Sequence, residues 1–189
     1  DFLLQPDINP ETGLELIEDY ISKLNKNSTG LEPYPISLRC INWIKFISSH
    51  APNFSYFHLF KFSSSLYAQY IILLDNLEYH LLGNHLLENG FSLLFGAFYF
   101  KDEELYSKAH KIITEQLQEQ ILDDGGHFER RPMYHQIILD RLLDCINLLQ
   151  NNQIFEDQVQ LLYLMKEIAG KMLAWLNQMT FSNGRIPML

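Results

Sequence analysis

Apolar residues recur at the period of an α-helix along almost the whole sequence, and no stretch alternates long enough to predict a β-strand. Ile17, Ile21 and Leu24 are three or four positions apart, and Ile41 and Ile44 repeat this spacing in the next segment. We therefore expect an all-α fold of about seven helices joined by short loops. The period alone leaves a bundle and a curved array of antiparallel hairpins, such as an α/α toroid, as alternatives.

Residues that favour helix starts mark several boundaries. Asn9 is expected to cap a first helix whose first residue is Pro10, and Pro35 is expected to open the second, which ends before Pro52. Asp102 is expected to cap a helix in the second half of the chain, and Pro132 to lie in the first turn of the next. The first helix is expected to close near the loop "NKNSTG".

The segment from Phe54 to about Leu82 is almost continuously apolar or aromatic, which predicts one long buried helix, with a break near Ser63–Ser65 as an alternative. Gly83 interrupts it, and a further helix is expected to run to Phe100. A last helix is expected over 157–179.

Composition limits the class of protein. With 189 residues and 47% hydrophobic content, we expect one helical domain over 1–189. The formal net charge of −9 argues against nonspecific nucleic-acid binding, which requires arrayed Lys and Arg. No apolar run reaches the roughly 20 residues of a membrane span. The abrupt start and the apolar "PML" ending predict that the natural protein continues past Leu189.

Cys40 and Cys145 have no partner at zinc-site spacing, so we interpret both as small buried hydrophobic residues, with a disulfide as an alternative. No His-x-x-x-His pair occurs in the polar stretches. No metal and no cofactor is therefore expected. The chain does not begin with a signal peptide, and its localisation stays open on these grounds.

Three stretches concentrate polar groups at predicted helix boundaries: "LEPYPISLRCINWIKF", "LEYHLLGNHLLENG" and "DGGHFERRPMYH". In the first, Arg39 either pairs with Glu32, which we favour, or faces a ligand. In the second, Asn84 either caps a helix or binds a ligand, and His85 is spaced to touch Glu88.

The third stretch begins with Gly125 and Gly126, which allow a sharp turn and a close approach to another segment. The polar residues that follow are His127, Glu129, Arg130, Arg131, Tyr134 and His135. Guanidinium charge beside Tyr134 favours its phenolate, which suits proton transfer. A surface salt-bridge cluster around Glu129, with Tyr134 packed on a helix, is an equally weighted alternative.

The motifs "EPYPISLR..NWIKF", "EYHLLGNHLLEN" and "DGGHFER.PMYH" occur in this order, and together they resemble the heparinase II/III-like polysaccharide lyase family over essentially the whole chain. The resemblance implies an incomplete α/α toroid, followed in full-length members by a β-sandwich domain that this chain lacks. It also implies β-elimination of an acidic, uronate-containing polysaccharide such as a glycosaminoglycan, and a periplasmic or secreted location. The isolated chain is then expected to be inactive or weak.

By motif position, the resemblance implies that Asn84 neutralises the uronate carboxylate and that Tyr134 is the general acid and base, oriented by His127 or His135. A further catalytic histidine would come from the β-sandwich. The expected substrate-binding residues are His85, His127, Glu129, Arg130, Arg131, His135 and Arg39. Two positions depart from the family pattern, since Arg131 stands where serine is more common and Leu31 where tryptophan is.

Two other functions remain open. One is a non-catalytic carbohydrate-binding or assembly domain in capsule or exopolysaccharide metabolism. The other is a helical protein-interaction scaffold, which requires the aromatic face between Phe54 and Phe62 to be exposed.

Overall fold

A computed structural model describes residues 2–24, 29–81 and 83–185. Several predicted features therefore lie partly outside the described residues. They are the loop "NKNSTG" after the first helix, the end of the apolar segment at Leu82, and the two ends of the chain. In the described part the chain forms seven α-helices: α1 Pro10–Lys23, α2 Pro33–His50, α3 Tyr56–Asp75, α4 His85–Phe100, α5 Glu103–Gln120, α6 Pro132–Asn151 and α7 Gln158–Met179. None of these helices is long and apolar enough to cross a bilayer.

The chain divides into two compact units, Asp1–Glu78 with α1 to α3 and Tyr79–Leu189 with α4 to α7. In the first unit, Asn9 Oδ1 accepts from the Glu11 backbone N–H at 2.8 Å, which confirms the predicted cap of α1. The predicted start of α2 is wrong by two residues, because the helix begins at Pro33 and not at Pro35. Proline is equally suited to either first-turn position, so the sequence did not separate the two.

Helix α3 differs from its prediction in length and in burial. It begins at Tyr56 behind a Ser55 cap, passes Ser63–Ser65 unbroken and ends at Asp75. Phe62 and Leu66 are fully buried. The opposite side of α3 is exposed, so the prediction of a buried helix is wrong for that face. The reason is that α3 is apolar nearly all round, whereas the neighbouring helix α2 covers only part of its surface.

In the second unit, α4 is buried from Leu86 to Phe98 and forms the centre of the core. It connects to α5 through a tight turn in which Lys101 adopts φ +55°. Asp102 Oδ1 accepts from the backbone N–H groups of Glu104 and Leu105 at 2.9 and 3.0 Å, which confirms the predicted cap of α5. Helices α4 and α5 are therefore antiparallel neighbours.

Helices α6 and α7 pack on each other, and α6 begins at Pro132 as predicted. Both cysteines are free thiols with no exposed surface, as expected for small buried hydrophobic residues. Burial raises the pKa of the Cys40 thiol to about 12, so this thiol stays protonated.

Candidate active site

The last residue of α5, Gln120, joins the loops that lead into α4 and α6. Its Nε2 donates to the backbone carbonyl of Gly83 at 2.9 Å, and its Oε1 lies 3.2 Å from His127 Nε2. The same two loops touch at Gly83, where an added Cβ would lie 2.9 Å from Glu129 Oε1. The second and third polar stretches of the sequence therefore meet at one end of this unit.

Asn84 occupies the cap position of α4 but does not act as a cap. Its side chain makes no capping hydrogen bond, and its backbone is near-helical, with φ −79° and ψ −3°, instead of the extended conformation of most caps. The residue is 7% exposed. The carboxamide of Asn84 is therefore not used to start the helix.

Tyr134 is the third residue of α6 and is half-buried. The two arginines before it are exposed, and Arg130 adopts φ +55°. No ion pair within the described residues includes Glu129, Arg130 or Arg131, so the alternative of a surface salt-bridge cluster is wrong for this part of the chain. The guanidinium groups thus face solvent at the rim of the loop.

A buried ion pair connects α4 to α6. Arg141 Nε donates to Glu88 Oε1 at 2.9 Å, and the two side chains are 12% and 3% exposed. Glu88 is four residues after Asn84, and Arg141 is seven residues after Tyr134. In an α-helix both spacings return to nearly the same face.

His127 and His135 lie inside the unit, at 1% and 0% exposure. Burial, with a smaller contribution from His135, lowers the pKa of His127 to about 4. The Nδ1 atom of His127 is buried and makes no hydrogen bond within the described structure. The site thus contains a neutral imidazole at neutral pH.

His135 is fixed against α7. Its Nε2 lies 3.0 Å from the carbonyl oxygen of Met172 and therefore donates to it, and its ring is 4.5 Å from the ring of Trp175. Burial lowers the pKa of His135, and the Met172 carbonyl partly offsets this. Neither buried histidine presents an edge to solvent, whereas His85, the first residue of α4, is half-buried.

Gly125 and Gly126, in the loop between α5 and α6, lie close to α7. Gly125 has φ +86°, and an added Cβ would overlap the carbonyl oxygen of Lys171. An added Cβ on Gly126 would lie 2.8 Å from Trp175 Nε1. The predicted close approach is confirmed, and the neighbouring segment is a helix of the protein itself.

In the first unit, Arg39 lines a cavity of about 490 Å³ together with aromatic residues. Its Nε donates to Gln69 Oε1 at 2.7 Å, and its guanidinium lies 4.5 Å from the centre of the Tyr20 ring. The favoured ion pair between Arg39 and Glu32 is therefore wrong. The Glu32 carboxylate instead accepts a hydrogen bond from the Gly30 backbone N–H. Arg39 Nη2 is buried without a hydrogen bond to the described residues, and burial lowers the pKa of this guanidinium.

The aromatic start of α3 is exposed. Tyr56, Phe57 and Phe60 are 84%, 68% and 62% exposed, whereas Phe54 and Phe62 are buried. The condition set for the interaction-scaffold alternative is therefore met on one face of this segment.

Two contributors were missed in the sequence. Gln120 is one of several glutamines near the end of α5, and nothing in the sequence separates it from Gln116 or Gln118. Arg141 carried a signal, because it is a cation amid the apolar residues of α6 at a helical spacing from Tyr134.

Residues 34–189 match the sequence profile of the family described as heparinase II/III N-terminus, which is most of the chain. The chain belongs to this heparinase II/III N-terminus family. None of the curated proteins matches the sequence significantly.

Two solved structures share the fold of this heparinase II/III N-terminus chain. Heparan sulfate lyase HepC from Pedobacter heparinus has a TM-score of 0.67 at 18% identity, over 100% of this chain and 35% of the HepC chain. A HepC mutant from the same organism gives 0.68 at 20% identity, over 93% and 29%. The chain thus spans about a third of their length, and the predicted fold class, an all-α incomplete α/α toroid, is confirmed.

Proposed function

We propose that this chain is the helical part of a polysaccharide lyase that cleaves a uronate-containing polysaccharide by β-elimination. The observation that carries the proposal is the joining of the starts of α4 and α6, through Gln120 at the loops and through the Glu88–Arg141 pair along the helices. These two starts bear the amide and the phenol that the reaction requires.

The ion pair supports convergence of the two side chains. Asn84 precedes Glu88 by about 6 Å along α4, and Tyr134 precedes Arg141 by about 10 Å along α6. Since the loops that lead into both helices meet at Gln120, both residues are expected on the same side of the ion pair.

The residue types suit the chemistry. Removal of the C5 proton places a second negative charge on the uronate carboxylate, so a hydrogen-bond donor must stabilise that group as the charge develops. The carboxamide of Asn84 can serve as this donor, because it makes no capping hydrogen bond to α4. Tyr134, acting first as its anion, takes the C5 proton and then gives it to the leaving oxygen at C4. The electrons of the C5–H bond form the C4–C5 double bond as the C4–O bond breaks, so the enzyme gains and loses no proton.

Charge placement supports an anionic substrate. The chain carries a net charge of −9, which repels a polyanion at long range. Arg130 and Arg131 are exposed beside the start of α6, and no ion pair in the described part of the chain engages them. These cations provide a local site of attraction, and the proposal assigns Glu129 and His85 to the same substrate-binding site.

The proposal includes a second domain. A β-sandwich domain in the full-length protein would supply the catalytic histidine, because His127 and His135 are both buried and act in this scheme through their neighbours. The similar proteins are heparan sulfate lyases by name, and they are about three times as long as this chain. A sulfated or carboxylated glycosaminoglycan is therefore the first substrate class to test.

The test is an ultraviolet assay for the C4–C5 double bond with the full-length protein and several uronate polymers. We expect turnover in the wild type and a loss of at least about 10²-fold in kcat for Tyr134→Phe. Tyr163→Phe, on an exposed tyrosine of α7, is the matched control and should retain turnover. Normal turnover in Tyr134→Phe would refute the role assigned to this phenol.

A carbohydrate-binding or assembly domain without turnover is the alternative, and the Arg39 cavity favours it. A desolvated guanidinium beside the rings of Tyr20 and Trp43 suits an acidic saccharide. In that case no polymer gives unsaturated product, and binding survives Tyr134→Phe but weakens in Arg39→Met.

The exposed aromatic start of α3 favours an interaction function for that face. Analytical ultracentrifugation of this chain tests it by comparing the wild type with Phe57→Ser and Phe60→Ser. We expect self-association that these changes weaken and that Tyr163→Ser does not. A monomeric wild type would rule out self-association through this face.

A further inference from the structure

Gln120 uses its whole side-chain amide within the protein. The residue is 2% exposed, and its Nε2 donates to the Gly83 carbonyl at 2.9 Å and to Gln116 Oε1 at 2.8 Å. Its Oε1 faces His127 Nε2 at 3.2 Å. The Gln120 backbone carbonyl also accepts from the Phe128 N–H at 2.8 Å, so side chain and main chain hold the same loop.

These contacts fix the tautomer of His127. A backbone carbonyl only accepts hydrogen bonds, so the NH₂ group of Gln120 must face Gly83 and its oxygen must face His127. The oxygen accepts, and His127 Nε2 must therefore carry the proton. Because burial holds the pKa of His127 near 4, the ring is neutral at pH 7 and its Nδ1 is an unprotonated acceptor.

We infer that Gln120 is a positioning residue of the proposed lyase site, which fixes the Gly83–Asn84 turn against the loop leading to Tyr134 and sets His127 as the Nε2–H tautomer. The inference rests on the proposed function for its catalytic consequence only. Gln120 does not touch the substrate. Its loss moves the carboxamide of Asn84 relative to Tyr134, and a displacement of about 1 Å lowers a rate by on the order of 10²-fold.

The first experiment measures the imidazole nitrogens of this chain by ¹⁵N NMR, with His127→Gln to assign the signals. We expect a protonated Nε2 and an unprotonated Nδ1 in the wild type. Gln120→Met, which has a similar shape and no amide, should give a mixture of tautomers. A proton on Nδ1 in the wild type, or an unchanged spectrum in Gln120→Met, would overturn the inference whether or not the protein is a lyase.

Two further variants separate the roles of Gln120 and protect the test against misfolding. Gln120→Glu keeps an acceptor for His127 and removes the donor to Gly83, so it should keep the protonated Nε2. Gln118→Met, on an exposed residue of α5 two positions earlier, is the matched control and should change neither tautomer nor rate.

The second experiment measures kcat and KM in the full-length protein. Gln120→Met and Gln120→Glu should both lower kcat by roughly 10²-fold with a smaller change in KM. Equal kinetics in Gln118→Met and Gln120→Met would contradict a specific role for Gln120. If the tautomer is fixed as described and no polymer is cleaved by the wild type, the proposed function fails and the assignment of the hydrogen-bond network stands.

Discussion

Arg141 Nε donates to Glu88 Oε1 across 2.9 Å, and this contact between α6 and α4 is almost completely buried. Arg141 also reaches Asp144 on its own helix, at 3.4 Å. The helix that follows Asn84 and the helix that contains Tyr134 are thereby held in one register. The pair therefore matters for the geometry of the site as well as for stability.

Arg141→Met should destabilise the protein, because it leaves the Glu88 carboxylate buried without its cation. We expect a loss of roughly 3 kcal/mol in the free energy of unfolding, measured by urea denaturation. Lys23→Met is the control, since the Lys23–Asp19 pair is 65% and 56% exposed and should contribute little. Similar losses in both variants would mean that the buried pair has no special weight.

Asn84→Ala and Asp102→Ala should have opposite consequences. Asp102 accepts two backbone hydrogen bonds at the start of α5, so its removal should cost about 1 kcal/mol of unfolding free energy and leave turnover intact. Asn84 makes no capping bond, so its removal should change stability little and reduce kcat by about 10²-fold or more. Thermal unfolding and the ultraviolet assay measure the two effects, and a stability loss in Asn84→Ala equal to that in Asp102→Ala would restore capping as its role.

Gly125→Ala should lower the free energy of unfolding, because it strains the loop between α5 and α6. The residue has φ +86°, and the new Cβ would overlap the Lys171 carbonyl oxygen, so the loss should exceed about 1 kcal/mol. Gly170 lies inside α7 with no heavy atom within 4 Å of an added Cβ. Gly170→Ala should therefore stabilise by about 0.4–1 kcal/mol, and urea midpoints that shift in the same direction for both variants would contradict this account.

The stability of the protein should fall on mild acidification because of His127. Its pKa is about 4 in the folded chain and near 6.5 in the unfolded chain, so the unfolded chain binds more protons between these values. The stabilisation is complete above pH ~6.5 and is lost as the pH falls toward ~4, by up to about 3 kcal/mol. His127→Gln keeps an N–H for Gln120 and should show a shallower pH dependence in urea unfolding. Part of the dependence should persist, since burial also lowers the pKa of His135.

Helix starts were predictable where a capping side chain bonds to a backbone N–H within the next three residues, or where a proline lies in the first turn. Asn9, Asp102 and Pro132 mark their helices as expected because a cap or a first-turn proline needs only its own next turn. The same rule allowed a cap at Asn84, but the Asn84 side chain makes no capping hydrogen bond. The backbone conformation that prevents capping there lies in a turn that Gln120 holds from another helix.

Burial was predictable for faces and not for whole helices. Ile41 and Ile44, which share the apolar period of α2, lie in the core of the first unit. It did not reveal that Tyr56 and Phe57 are exposed, because the sequence of α3 is apolar on more sides than its neighbours cover. Coverage depends on the surrounding helices, and a single-helix pattern does not contain that information.

Local chemistry along the chain is sufficient for the all-α class, most helix ends and the three polar stretches, since each depends on residues within one or two turns. The contacts of Gln120 with Gly83 and of Arg141 with Glu88 join residues 37 and 53 positions apart. Such contacts follow from which helices pack together, and packing depends on the sum of many apolar contacts across the unit. Folding of the whole unit is therefore what selects one glutamine and one arginine, among several similar ones, to hold the proposed site.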